Sequence, residues 1–144
     1  MSVTKKPTLG ILGGMGPLAT VDFMHKVIDL TPAKSDQDHL PMVIVSIPHV
    51  PDRTAAIVSG GATPLPVMLD GIDILNKAGV DCVAVPCNSA HFWIDDLSRA
   101  SNAPIVHIAD AAISALGGTA TKMSRIGFLG TSGAVLAGIY EKRL

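Results

Sequence analysis

Apolar residues in this chain follow two periodicities that alternate along its length. Short runs rich in Val, Ile and Leu, at Leu9–Leu12, Met42–Ile47, Cys82–Val85, Ile105–Ile108 and Ile126–Leu129, read as strands. Apart from Ser46 and His107 they hold no polar residue and do not alternate, the pattern of parallel strands covered on both faces. The segments between them carry helical spacing. From Pro17 onward, Val21, Met24 and Ile28 fall at i, i+3 and i+7, and Met68, Ile72 and Leu75 repeat the rhythm. Pro32, Pro41, Pro48 and Pro51 and the pair Gly60–Gly61 mark loops. Strand and helix in alternation predict an α/β fold, a doubly wound parallel sheet with flanking helices.

One strand-turn-helix unit occurs twice. "LGILGGMGPLATVDFMHKV" from Leu9 and "IGFLGTSGAVLAGIYEKRL" from Ile126 align without a gap at a constant offset of 117 positions. Gly10 meets Gly127, Leu12 meets Leu129, Gly13 meets Gly130, Gly16 meets Gly133 and Phe23 meets Tyr140. The expected organisation is a first α/β lobe over residues 1–124, followed at 125–144 by the opening strand, turn and helix of an incomplete second lobe.

Composition narrows the function. A chain of 144 residues can bury one real core. With a net charge of −1 and only 16% charged residues, it offers no basic face to nucleic acid or to an anionic membrane. No apolar run approaches the roughly 18 residues that cross a bilayer. The start, MSVTKKPTLG, has Pro7 and Gly10 where a signal peptide places its apolar stretch. Cys82 and Cys87 form neither a disulfide framework nor a zinc pattern. The expectation is a soluble protein of a reducing compartment, the cytoplasm, with no cofactor and no metal. His25, His39, His49, His91 and His107 show no metal-ligand spacing and are expected in capping or core roles.

Candidate chemistry gathers at strand ends. In "VDCVAVPCNSAHFW", Cys82 lies inside the apolar run and is expected to pack in the core, whereas Cys87 follows Pro86 and precedes Asn88–Ser89, two good N-cap residues. That places the Cys87 thiol at a strand's carboxyl end beside a helix start, where open α/β sheets bind ligands and where a thiolate is favoured. "GILGGMGPLAT" supplies a glycine turn able to present N–H groups of Gly14 and Met15 to an anion, with Pro17 suited to a helix first turn. Its match to the dinucleotide pattern is weak, because the second strand runs into Pro48–His49 where an acidic residue is expected. In "IPHVPDRT", Arg53 offers a planar fork for a carboxylate, and Asp52 is placed to orient that arginine or an ammonium group. Thr131 and Ser132 occupy in the second copy the turn positions of Gly14 and Met15 in the first.

With "GGMGP", "PDRT" and "PCNSAH" in this order, the chain resembles the aspartate/glutamate racemase superfamily, in its aspartate racemase and broad-specificity amino-acid racemase branch. The resemblance runs through "GFLGTSGAVLAGIYEKRL", similar to that family's entry into its second lobe. It implies two similar lobes facing a cleft and α-proton transfer between two cysteines without a cofactor. Carried over, Cys87 is the first-lobe acid/base, Asn88 and Ser89 hold the α-carboxylate, Gly14 and Met15 with Arg53 line the site, and Thr131 contributes from the second lobe's first turn. Ser89 stands where the family usually has threonine, and no second-lobe cysteine has a counterpart here. The expected partners are an amino acid with a carboxylate side chain and a second copy in a homodimer. The alternatives are a non-catalytic ligand-binding or interaction domain on the same fold and a dinucleotide module resting on "GGMGPLA".

Overall fold

The computed structural model describes residues 6–116 and 125–144. Its central strand, β1 (Leu9–Gly13), is buried along its whole length. β2 (Met42–Ser46) pairs on one side of it and β3 (Cys82–Ala84) on the other, with β4 (Ile105–Val106) beyond β3. All pairings are parallel: Leu9 stands beside Met42 and Cys82, and Ile11 beside Ile44 and Ala84. The order β2-β1-β3-β4 reverses the direction of winding between β1 and β3. The carboxyl ends of those two strands therefore flank the crevice where such sheets take ligands.

Helices fill both faces. α1 (Pro17–Leu30) connects β1 to β2, α2 (Arg53–Ser59) and α3 (Leu65–Ala78) connect β2 to β3, and α4 (Ile94–Ala100) connects β3 to β4. α5 (Ile108–Ala115) follows β4. On one face, Met68, Ile72 and Leu75 of α3 and Leu97 of α4 are fully buried against Leu12 and Val83, as the spacing predicted for α3. On the other, Phe23, Met24 and Val27 of α1 pack on Leu9, Ile11 and Ala84.

Here the expected face of α1 is corrected. Val21 is 61% exposed and Ile28 43%, and the buried stripe runs instead through Thr20, Phe23, Met24 and Val27. The cause is polar. Thr20 Oγ1 accepts the Gly14 N–H at 2.8 Å and donates to the Gly16 carbonyl at 3.0 Å, which fixes the rotation of the helix about its axis.

Two strand expectations also change. β4 ends at Val106 because the His107 side chain accepts the Ala109 N–H at 3.2 Å, capping α5 and turning the chain into helix at Ile108. Residues 126–129 form no strand: Leu129 is 99% exposed and the run has no strand partner among the described residues. A strand without a neighbour leaves its main-chain groups to water. The turn after it does form, with Thr131 capping α6 (Ser132–Leu136). α6 is far shorter than α1, since Gly138, opposite Val21 of the first copy, takes a left-handed φ of 61°.

The second copy nevertheless packs on α2 and α5. Ala137 and Ile139 are buried with Ala109, against Ile57 and Ile108. Arg143 pairs with Asp110 at 3.0 Å. The expected lobe boundary falls after residue 124, which lies outside the described residues.

Candidate functional site

At the crevice between the carboxyl ends of β1 and β3 lies a cavity of about 290 Å³. Met15, Arg53, Cys87, Asn88, Ser89 and Thr131 line it, together with Ala19, Asp52, Thr54 and Pro86. Six of the seven residues carried over by the resemblance thus meet in one place with Asp52, brought there by four separate segments, while Ser132 does not line it. Gly14 is the exception. Its N–H is already donated to Thr20, and it acts through shape: with φ at 90°, a Cβ there would sit 2.2 Å from the Ile47 nitrogen. The glycine lets the turn pass against the end of β2 and leaves Met15 as the turn's contribution to the wall.

Cys87 is half-buried at the mouth of β3. The segment after it differs from the expected helix start. Ser89–Trp93 forms a 3-10 turn, and the α-helix begins only at Ile94, so the Asn88 and Ser89 side chains cap nothing. They reach across to the second copy of the repeat instead. Asn88 Oδ1 accepts the Tyr140 hydroxyl at 2.7 Å, and Ser89 Oγ lies 3.0 Å from Thr131 Oγ1. Thr131 Oγ1 also accepts the Ala134 N–H at 3.3 Å.

His91 holds the Cys87 backbone from below. Its Nδ1–H donates to the Cys87 carbonyl at 2.9 Å, and its Nε2 accepts the Ile108 N–H at 3.1 Å, which assigns the neutral Nδ1–H tautomer. Burial holds its pKa below the ordinary imidazole value, with the backbone bond to Cys87 opposing. Of the five histidines expected in capping or core roles, His91 is buried and His107 caps α5, their rings packing edge to face at 4.8 Å, whereas His25 lies exposed beside Asp29.

Arg53 and Asp52 divide the work differently from the expectation. The Asp52 carboxylate accepts the Ala55 N–H at 2.6 Å and so caps α2, rather than orienting the arginine. Arg53 Nη1 donates to the Val50 and Pro51 carbonyls, each at 3.1 Å, and Nη2 to the Met15 carbonyl at 3.4 Å. The guanidinium thereby ties the glycine turn to the loop before α2. Three of its five N–H donors are thus used; its Nε is buried and unpartnered, and the residue brings a positive charge to the cavity lining.

Cys82 packs, half-buried, against Leu9, Ile11 and Ala84 on the α1 side of the sheet. Burial first, and the neighbouring Asp81 charge second, push its thiol pKa up, which disfavours the thiolate there. The sequence reading missed Tyr140, Thr54 and the strut formed by His91. The repeat did pair Tyr140 with Phe23, and the extra hydroxyl was the only available signal of its separate role.

The family model for Asp/Glu/hydantoin racemase matches residues 12–144. The chain belongs to the Asp/Glu/hydantoin racemase family. Among the curated members, it is 35% identical over 140 residues to the broad-specificity amino-acid racemase RacX of Bacillus subtilis (strain 168), an alignment covering 94% of this chain and 60% of RacX. Among solved structures, the aspartate racemase of Picrophilus torridus superposes with a TM-score of 0.85 at 32% identity, covering 95% of this chain and 58% of that one. An aspartate racemase homologue from Pyrococcus horikoshii OT3 gives a TM-score of 0.62 at 24% identity over 78% of this chain and 49% of its own, a likeness of fold alone. The chain thus spans about 60% of the length of RacX. Among the described residues no helix is long and apolar enough to cross a membrane.

Proposed function

We propose that this chain carries one acid/base half of a cofactor-independent amino-acid racemase, with Cys87 as the group that takes and returns the α-proton. The supporting observation is convergence: a thiol, an amide, a hydroxyl and a guanidinium line one cavity of amino-acid size at the sheet's switch point. The α-proton of an amino acid is a very weak acid, so the carbanion formed on its removal needs donors already aimed at the carboxylate. Asn88 and Ser89 supply those donors beside the thiol. Arg53 provides the positive charge that favours a side-chain carboxylate, which makes aspartate or glutamate the preferred substrate class.

Inversion needs proton transfer on opposite faces of one carbon, and a single fixed group serves only one face. The 144 residues hold two cysteines, of which Cys82 faces the core. The reading therefore assigns Cys87 to the lobe of residues 1–124, treats 125–144 as the start of a second lobe, and has the protein act as a cytoplasmic homodimer. In D2O, L-aspartate incubated with the chain should lose its α-proton signal and gain deuterium with configuration retained. Cys87→Ala should abolish the exchange and Cys82→Ala should leave it. A folded wild-type chain that exchanges nothing refutes the reading.

A second reading, a non-catalytic interaction domain, draws on one observation. Ala112 and Ile113 of α5, Leu116 just after it, and Ile126, Phe128 and Leu144 line an apolar groove of about 260 Å³. A clean monomer in gel filtration argues against it, because such a surface then needs no partner.

A further inference from the structure

We propose that Tyr140 is a positioning residue that sets which face of the Asn88 amide meets the cavity, and so makes this wall of the site a carboxylate receptor. The inference rests on the racemase reading above and deepens it. An asparagine side chain is two-faced: its oxygen accepts and its NH2 donates, and a free amide turns either way. Here the oxygen is occupied by the Tyr140 hydroxyl at 2.7 Å, from a residue 52 positions away. The other end of the amide, with two N–H donors, is what remains for the cavity that Asn88 lines beside Cys87. A carboxylate accepts such donors, whereas an amide carbonyl turned inward would repel it.

The phenol is built for this direction of bonding. Its ring leans on Phe128 with centroids 4.4 Å apart, and it packs against the cluster of Ala109, Ala137 and Ile139. Burial pushes its pKa up, with no charged group contributing, so it is a donor throughout the neutral range. The internal repeat sharpens the point. The equivalent residue of the first copy is Phe23, which packs on the sheet with no hydroxyl to place. The second copy keeps the ring and adds the one atom that reaches Asn88.

Selective alkylation of Cys87 reads this without any assumption about turnover. In a Cys82→Ser background, the thiolate displaces iodide from iodoacetate or from iodoacetamide, and the ratio of the two rates cancels the thiol's own ionisation. Iodoacetate carries its carboxylate one carbon from the attacked atom, the same relation that an amino acid's carboxylate bears to its α-carbon. Tyr140→Phe keeps the ring and should lower the iodoacetate-to-iodoacetamide ratio about fivefold, the value of one hydrogen bond. With Asn88→Ala already present, the same change should move the ratio less than about twofold. An unchanged ratio in Tyr140→Phe, or an equal drop in both backgrounds, overturns the proposal. If Tyr140→Phe does not fold, the single tyrosine permits replacement of Tyr140 alone by 3-fluorotyrosine, whose phenol ionises at lower pH. The ratio should then collapse at a lower pH than in the unlabelled chain, and coincident profiles overturn the proposal. The aspartate exchange experiment fails or succeeds separately, so a lost ratio with no exchange refutes only the racemase reading.

Discussion

Gly133→Ala should cost this chain much of its stability and open the candidate site, although the change is one methyl group on a surface helix. A Cβ at position 133 would lie 2.8 Å from Thr54 Oγ1 and 2.9 Å from Thr54 Cα. The hydroxyl can rotate away, but the Cα cannot move without α2. Ordinary contact begins near 3.4 Å, so α6 must retreat by roughly 0.5–1 Å. Thr131 rides on the same helix, and its 3.0 Å contact with Ser89 then passes beyond hydrogen-bond range. Overpacking of this kind costs about 1–3 kcal/mol, and the lost bond adds about 1 kcal/mol. For a chain of this length that is a fall in Tm of about 5–15 °C. Differential scanning fluorimetry measures it, with Gly127→Ala as the control, since nothing lies within 4 Å of a Cβ there. Adding Thr54→Ala should recover only part of the loss, because the backbone contact remains. A Gly133→Ala chain as stable as the wild type would refute the packing of α6 on α2, and with it the wall that Thr131 contributes.

The other expectations are shorter. Gly14→Ala places a methyl 2.2 Å from the Ile47 nitrogen at a φ of 90°, and should lose more than about 4 kcal/mol, read as failure to recover soluble folded chain. Asp52→Ala removes the cap of α2 and should cost about 1 kcal/mol in urea unfolding with the m-value unchanged. Acidification should destabilise the fold through His91 and His107, whose folded pKa values lie below the ordinary 6.5. The unfolded chain takes up protons first as pH falls through 6.5, so stability is complete above that value and declines below it until the folded rings titrate. Tm measured between pH 7.5 and 5.5 should fall, and His91→Asn should show a shallower slope; a Tm rising on acidification contradicts the neutral buried tautomer.

What the sequence discloses, and what it conceals, follows from where each signal comes from. Strands buried on both faces are legible because every residue in them is apolar, and Leu9–Leu12 needed only Gly13 added. Met68, Ile72 and Leu75 were legible for the same reason, a helix pressed against a sheet on one side. The rotation of α1 was not, because Thr20, a polar residue, sets it through bonds to Gly14 and Gly16 that no apolar pattern records. The strand at 126–129 has strand composition, but composition supplies no neighbouring strand to pair with. At the site, residue type and strand-end position pointed to Cys87, Arg53 and the Met15 turn, and the repeat to Thr131, whereas Asn88 and Ser89 read as caps and took a ligand-holding role only through the family resemblance. Their partners were concealed: Asn88 and Ser89 have the residue types of a local cap and bond to positions 52 and 42 residues away.

The two copies of the repeat explain how one short motif serves both as floor and as wall. In the first copy Thr20 sits inside the helix and closes its own turn, taking the Gly14 N–H. Position 137 of the second copy is alanine, so that turn has no internal hydroxyl; the hydroxyl moves forward to Thr131, where it caps α6 and meets Ser89. Val21 continues the first helix, whereas Gly138 stops the second and redirects the chain so that Tyr140 faces Asn88. Two departures from the first copy, the hydroxyls of Thr131 and Tyr140, reach the loop carrying Cys87. Of the residues that distinguish the copies, Thr131 lines the cavity and Tyr140 holds the Asn88 that lines it, while Gly133 lets α6 close on Thr54 of α2 near enough for the Thr131–Ser89 bond to form.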